Sequence, residues 1–257
     1  MVDESAVTET LLQRGDAVYA VDALTYAATP DLPAQWSAQY GARFSFVPRD
    51  VNDLGRLPDV DAVINLAAES HVDNSIAAAS RCLQTNVLGV AHLLDLCRSA
   101  GTHDYRAPRF VHVSTDEVYG DLEAAAAPRT ELDALNPSSP YAASKASADL
   151  LIGAWARTHK VAYNIIRPTN VYGPYQHAEK LIPRAIRALQ TGRPMTINGH
   201  GRQTRQWLAL HDLVAAILLV LDRAPANKVF NVGGNAEASV LDVVKGMAGE
   251  QISIPVT

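Results

Sequence analysis

Cysteine is scarce: Cys82 and Cys97 are the two thiols in 257 residues, and they stand fifteen positions apart in one helical-looking segment. That spacing fits neither a disulfide framework nor a zinc knuckle, so both read as buried thiols packing as small hydrophobes, and no metal site is expected. Positive charge is not in excess. With 22 Lys and Arg against 27 Asp and Glu, the formal charge is −5, and no basic stripe exists to displace counterions from a nucleic-acid backbone. Long apolar runs are also missing. The longest, such as residues 213–221, are too short to cross a bilayer, and nothing at the start joins a basic end to an apolar core. The reading is a soluble, cytoplasmic protein that partners neither nucleic acid nor membrane. Glycine is lacking too, with none before Gly15.

What is present is enough apolar sequence, 48%, to bury a sizeable core. Short β-branched runs at 17–21, 44–47, 62–66, 110–113 and 162–166 alternate with segments of helical period at 5–14, 76–99 and 140–159. This alternation is the signature of parallel βαβ units, and Gly15 and Gly101 sit where left-handed helix stops belong. The expected fold is α/β, a doubly wound, Rossmann-like parallel sheet over residues 1–167. Beyond Arg167 the chain is punctuated by Pro168, Gly173, Pro174, Pro183, Gly192 and Pro194, with short strand candidates at 195–197 and 229–232. Residues 168–257 are therefore expected to form mainly a smaller substrate lobe, with some segments returning to the first domain. No internal repeat occurs, and the alanine tract at 124–127 reads as a helix end or loop. The chain opens on a helix, where such folds normally begin with a strand and a glycine-rich turn, and it stops after a strand-like stretch at 252–256. A sequence truncated at both ends is the expectation.

Tyr141 and Lys145 lie at i and i+4 on a predicted helix, so both rise from one face. A phenol ionises near pH ~10, and an adjacent ammonium favours the phenolate that can take a proton from a hydroxyl. Alone, Tyr-x-x-x-Lys equally describes a surface tyrosine over a lysine stem. Its context is Ser114-Thr115-Asp116-Glu117-Val118-Tyr119-Gly120, where a strand ends and its loop begins, the location at which open α/β sheets bind ligands. By themselves Asp116 and Glu117 also fit a solvated loop pair. The intervening Asn136-Pro137-Ser138-Ser139-Pro140 launches the tyrosine's helix at its first turn.

Six segments together resemble dTDP-glucose 4,6-dehydratases of the extended short-chain dehydrogenase/reductase type. They are Asp22 through Ala27, Asn65 through Asp73, Ser114 through Gly120, Ser138 through Ala146, Tyr172 through Tyr175 and Glu179 through Pro183. The Thr-Asp-Glu triplet followed by Val-Tyr-Gly points to the dehydratase branch. The resemblance implies NAD as cofactor, a nucleoside-diphosphate hexose as substrate and a homodimer built on the helices at 76–99 and 140–159. It further implies that Tyr141 deprotonates the sugar 4-hydroxyl, that Lys145 holds the nicotinamide ribose and lowers the tyrosine pKa, and that Thr115 bonds the oxidised oxygen. Glu117 then acts as base at carbon 5 and Asp116 as acid at the departing 6-hydroxyl.

For the cofactor, Asp22 at the end of the family's second strand suits the ribose hydroxyls and disfavours a 2′-phosphate. Leu24, Thr25, Asp50, Val51, Leu66, Ala67, Ala68 and Ser70 occupy positions like those of the family's cofactor pocket, although small residues also serve plain tight packing. Asn170, Glu179, Lys180, Arg205 and Asn231, with Ser70 and Thr115, match positions on the substrate side, and a guanidinium is a natural diphosphate clamp. His71 reads as a site-lining or plain polar residue. The family's Gly-x-x-Gly-x-x-Gly turn, whose amides meet the diphosphate at a helix start, is replaced by Met1-Val2-Asp3-Glu4. The missing strand would be the centre of the sheet, leaving a gap between its halves. Two other readings stay open: a nucleotide-sugar epimerase or decarboxylase, which needs the tyrosine and lysine but not the acidic pair, and a cofactor-free binding protein.

Overall fold

The computed structural model describes residues 4–101, 107–122, 126–197 and 199–248. The expected strand at 252–256, residues Met1 to Asp3 and part of the alanine tract at 124–127 lie outside them. In chain order the elements are α1 (Glu4–Arg14), β1 (Val18–Asp22), α2 (Leu32–Tyr40), β2 (Phe44–Pro48), β3 (Ala62–Asn65), α3 (Val72–Ala77), α4 (Ala79–Leu83), α5 (Gly89–Ala100) and β4 (Arg109–Val113). There follow α6 (Pro140–His159), β5 (Tyr163–Pro168), β6 (Asn170–Tyr172), α7 (Leu181–Thr191), β7 (Thr204–Ala209), α8 (Leu210–Arg223), β8 (Lys228–Val232), β9 (Ala236–Ser239) and α9 (Val240–Ala248).

The main sheet runs β3-β4-β5-β8, all parallel. Its strands read as continuous apolar runs because both faces are covered. In β4, Phe110 points into a core with Leu94 of α5 and Ile152 of α6, while Val111 and Val113 point the other way, toward Val7 of α1 and Leu213 and Ile217 of α8. This is the two-residue period of a strand sorting its side chains between two layers of helix. A second sheet, β6-β7-β9, with β7 and β9 antiparallel, belongs to the later part of the chain, where Ala185, Met195, Ile197 and Val244 form a separate small core.

The gap expected in the sheet is present. β1 pairs only with β2 as a two-stranded parallel ribbon, and between it and β3 lies a cavity of about 780 Å³ lined by both strands and by α1.

Two expectations are corrected. The helix expected over 76–99 is interrupted. The backbone at Ala78 leaves helical geometry (φ −148°, ψ 72°), and residues Gln84–Leu88 form a π-helical turn. Within that turn stands Asn86, a fully buried amide. Its side chain accepts from Glu69 N (2.9 Å) and donates to Glu69 O (3.0 Å), and a widened turn accommodates such an insertion. The stretch 195–197 is not a strand: Met195 and Ile197 are buried by side-chain packing, with no neighbouring strand on which to pair.

Arg109 ties the end of α8 to the sheet. It donates to Asn164 Oδ1 (2.8 Å) and to the carbonyls of Leu221 (3.0 Å) and Ala224 (2.6 Å), satisfying oxygens that the helix end leaves open. Arg109→Met is expected to lower unfolding free energy by about 2–4 kcal/mol in urea denaturation, because it strands partly buried carbonyls. A loss below about 0.5 kcal/mol would show that water replaces the guanidinium.

Candidate active site

The site assembles at the carboxyl ends of β3, β4 and β5. After Ser114 the chain enters a tight 3₁₀ turn, Asp116–Tyr119, capped by Thr115, whose Oγ accepts from Glu117 N at 3.3 Å. Asn136 N donates to Val118 O (2.9 Å), bringing the proline-rich connection alongside. Gly120 closes the turn at φ 77°, where a Cβ would also collide with the Asn136 carbonyl, so the glycine of Val-Tyr-Gly is a steric requirement. Ser139 then caps α6, its Oγ accepting from Ala142 N at 3.1 Å, with Pro140 in the first turn.

The first two turns of α6 carry Tyr141 and Lys145, both buried. Lys145 Nζ donates to Val113 O at 2.8 Å. Burial pushes the ammonium down to about 8, with Asp149 opposing. Tyr141 lies within reach of Thr115, which bonds its hydroxyl, and of the charges of Glu117 and Asp116; burial and Glu117 hold its phenol above the ordinary range. In the protein alone, solvent exclusion and two carboxyls act on the phenol, and the Lys145 ammonium is engaged by the Val113 carbonyl.

Asp116 and Glu117 stand in distinct fields. Burial, then the charge of Glu117, raises Asp116 to about 6. Burial also raises Glu117, but Arg205 and Lys180 counter it. Arg205 on β7 and Lys180 before α7 thus face the acidic pair, although both are far away in sequence. Lys180 Nζ also donates to Ser70 O (3.2 Å) and lies 3.7 Å from Glu179, whose carboxylate is 3.6 Å from His71. Ser70, His71, Glu179 and Lys180 are therefore one cluster. Asn170 is on β6 in register with Trp207. Asn231 uses its side chain internally, accepting from Tyr119 Oη (2.8 Å) and donating to Arg129 O (3.3 Å).

The other expected positions gather at the cavity between the half-sheets. Asp22, Leu24, Thr25, Asp50, Val51, Leu66, Ala67 and Ala68 all line it. Asp22 Oδ1 accepts from Leu24 N (2.6 Å), and Asp50 Oδ1 is held by Asn52 N (2.9 Å) and Asn52 Nδ2 (2.8 Å). For a dinucleotide, the residue of the lining that fits is Asp22, at the ribose end of β1; Tyr141 and Lys145 stand outside the lining. The first described residues of α1 on the cavity wall are Glu4 and Ser5. A carboxylate at a helix start presents like charge to a diphosphate, and no glycine turn stands there among the described residues.

Sequence reasoning missed the support beneath these groups. Asn86 Nδ2 donates to Ser144 Oγ (2.9 Å), Ser144 Oγ donates to Tyr141 O (2.7 Å), and Tyr141 N donates to Ser75 Oγ (3.2 Å). Asn65 holds Ala67 N at 3.2 Å, fixing the loop after β3. The one legible signal was Asp149, which repeats the four-residue spacing of Tyr141 and Lys145.

Parallel sheet, helical layers and a buried tyrosine and lysine beside two carboxyls define an enzyme of the extended short-chain dehydrogenase/reductase class. The profile of the NAD dependent epimerase/dehydratase family matches residues 4–233, and the chain belongs to that family. The dTDP-glucose 4,6-dehydratase of Haemophilus influenzae is 42% identical over 240 residues, 90% of this chain and 70% of that protein. The crystal structure of DesIV, a dTDP-glucose 4,6-dehydratase from Streptomyces venezuelae with NAD and TYD bound, superposes with a TM-score of 0.89 at 37% identity, covering 98% of this chain and 80% of that one. A UDP-glucuronic acid 4-epimerase from Bacillus cereus, in complex with NAD and a fluorinated UDP-sugar, gives 0.88 at 25% identity over 100% and 82% of the two chains. Among the described residues, no helix is long and apolar enough to cross a membrane.

The cost of crowding Asp116 beside Glu117 is measurable. A carboxyl held near 6 instead of the unfolded ~4 binds its proton more tightly in the folded protein. Its destabilisation is therefore fully present above about pH 6 and gone below about pH 4. Asp116→Asn is expected to raise stability at pH 7.5 by up to about 3 kcal/mol, with the gain disappearing toward pH 4 in thermal denaturation. A gain independent of pH would contradict the assigned cause.

Proposed function

We propose that the chain is a dehydratase acting on a nucleoside-diphosphate hexose, most specifically dTDP-glucose, giving the 4-keto-6-deoxy sugar. The observation that carries this reading is that Thr115, Asp116 and Glu117 stand together around the buried Tyr141, with Glu117 the more exposed of the two carboxyls. An epimerase needs the tyrosine but has no use for an acid and a base of different proton affinity. When bound, NAD supplies the hydride acceptor at carbon 4 and returns the hydride at carbon 6. Asp22 would hold its adenosine ribose, and Lys145 its nicotinamide ribose.

The chain's own residues then do the proton work. Tyr141 takes the proton of the 4-hydroxyl; Lys145, drawn from the Val113 carbonyl to the ribose, would place its positive charge near the phenolate and offset the penalty of burial. Thr115 donates to the oxygen at carbon 4. The resulting carbonyl acidifies the hydrogen on carbon 5, which Glu117 removes, since Arg205 and Lys180 favour its anion. Asp116 delivers a proton to the 6-hydroxyl as it leaves as water. Two carboxyls sharing a dry site do not both ionise easily, so the proton resides on the one with less cationic help. Arg205 and Lys180 also stand where a nucleoside diphosphate would need positive charge. Leu83, Leu88 and Leu150, exposed on the helices at 76–99 and 140–159, are the proposed contact with a second copy, a homodimer that sedimentation at micromolar concentration would reveal as twice the monomer mass.

Incubation with NAD and dTDP-glucose is expected to give the 4-keto-6-deoxy product, and appearance of the 4-epimer instead would establish the epimerase reading. In a single turnover, Tyr141→Phe should block reduction of the nicotinamide. Asp116→Asn and Glu117→Gln should permit it yet slow water loss by roughly a hundred to ten thousand fold.

A further inference from the structure

Behind the tyrosine and lysine lies a second buried charge system that proton transfer does not use. Asp149 follows Lys145 by one turn of α6, and its side chain is 2% exposed. Arg167 of β5 donates from Nε to Asp149 Oδ2 at 2.9 Å. The guanidinium stacks over the Tyr119 ring at 4.9 Å and donates from Nη1 to Tyr119 Oη at 2.6 Å, and Tyr119 Oη donates on to Asn231 Oδ1. The carboxylate is thus held from α6, β5, the turn after Thr115 and β8. A long arginine stacked and doubly bonded fixes its partner more tightly than a lysine could.

An ion pair this buried is weak evidence for stability, because desolvation of both charges offsets their attraction. Lys145 has the same difficulty: a nearly dry ammonium that donates to a neutral carbonyl. The titratable groups acting on or beside it are Tyr141 and Asp149 on α6, Cys82 on α4 and His112 on β4. His112, fully buried, is held neutral by desolvation, and burial keeps the Cys82 thiol protonated. Asp149 is the carboxylate among them; burial raises its pKa, while Arg167 and Lys145 oppose that rise and favour its anion.

We propose that Asp149, oriented by Arg167, is a positioning residue that supplies the buried negative charge holding the Lys145 ammonium at the head of α6. It touches neither sugar nor cofactor and acts through Lys145. The inference rests on the reading of Lys145 as the partner of Tyr141, and it makes the four-residue series Tyr141, Lys145, Asp149 one electrostatic column on a single helix face.

The test is titration of the Lys145 amine itself, in the folded chain without cofactor or sugar. Protein labelled with ¹⁵N at lysine Nζ is followed by NMR from pH 5 to 10, the Lys145 signal being identified by its loss in Lys145→Met. The parent midpoint is expected near about 8. Removing an opposite charge at this range should lower it by about 1 pH unit or more in Asp149→Asn, which still offers Arg167 an acceptor, and in the smaller Asp149→Ala. Asp149→Glu, which keeps the charge, should stay within about half a unit of the parent, and it is the variant to read if the neutral ones do not fold. A midpoint unmoved in a folded neutral variant, or moved a full unit in Asp149→Glu, overturns the proposal. A purely structural ion pair would alter stability in these variants and leave the midpoint in place. The titration uses no substrate, so failure of the dehydratase reading shows separately, as absent turnover in the parent.

Discussion

Everything at the centre of this protein is arranged around keeping a lysine charged where water is nearly excluded. Lys145 is 2% exposed and bonds the last carbonyl of β4, so α6 must lie close across the end of that strand. A side chain so placed forfeits hydration that a single neutral hydrogen bond cannot replace. The surroundings compensate in the only way a dry interior allows, with fixed dipoles and an opposed charge. The strand end, the helix and the Asp149 and Arg167 pair are mutually dependent for this reason.

The same exclusion of water creates the chemistry available to the neighbouring groups. Asp116, Glu117 and Tyr141 are all raised mainly by burial, and Arg205, from a different part of the chain, opposes that rise at both carboxyls while Lys180 acts on Glu117. Two groups of the same chemical type thereby stand in different fields. The polar groups beneath, Asn86, Ser144 and Ser75, serve as spacers that fix the first turn of α6; the π-helical turn around Asn86 is the backbone distortion that this support requires.

The divided sheet sets the opposite condition. Where β1 and β3 would share a neighbour there is a cavity of about 780 Å³, walled by Asp22, Asp50 and the small residues after β3. The cluster around Tyr141 and Lys145 lies instead on the continuously paired strands, and Arg205 and Lys180 reach it from the later part of the chain.

Much of the fold was written locally. Strand and helix positions followed from β-branched runs and helical periods, and α6 begins and ends where its capping residues Ser139 and Pro140 and its apolar pattern place it. The Tyr-x-x-x-Lys spacing and the Thr-Asp-Glu triplet each declared a site because their members are neighbours along the chain. What local pattern could not carry was anything set by distant partners. Asn86 sits in a π-helical turn that local pattern did not announce, and its amide bonds a loop seventeen residues away. Residues 195–197 failed as a strand because a strand exists only through a neighbour's hydrogen bonds. The cations that act on Asp116 and Glu117, Lys180 and Arg205, come from 63 to 89 positions along the chain. Sequence determines which groups can hydrogen-bond and which faces are apolar; the electric field at a buried atom is a sum over space, and only the tertiary structure decides it.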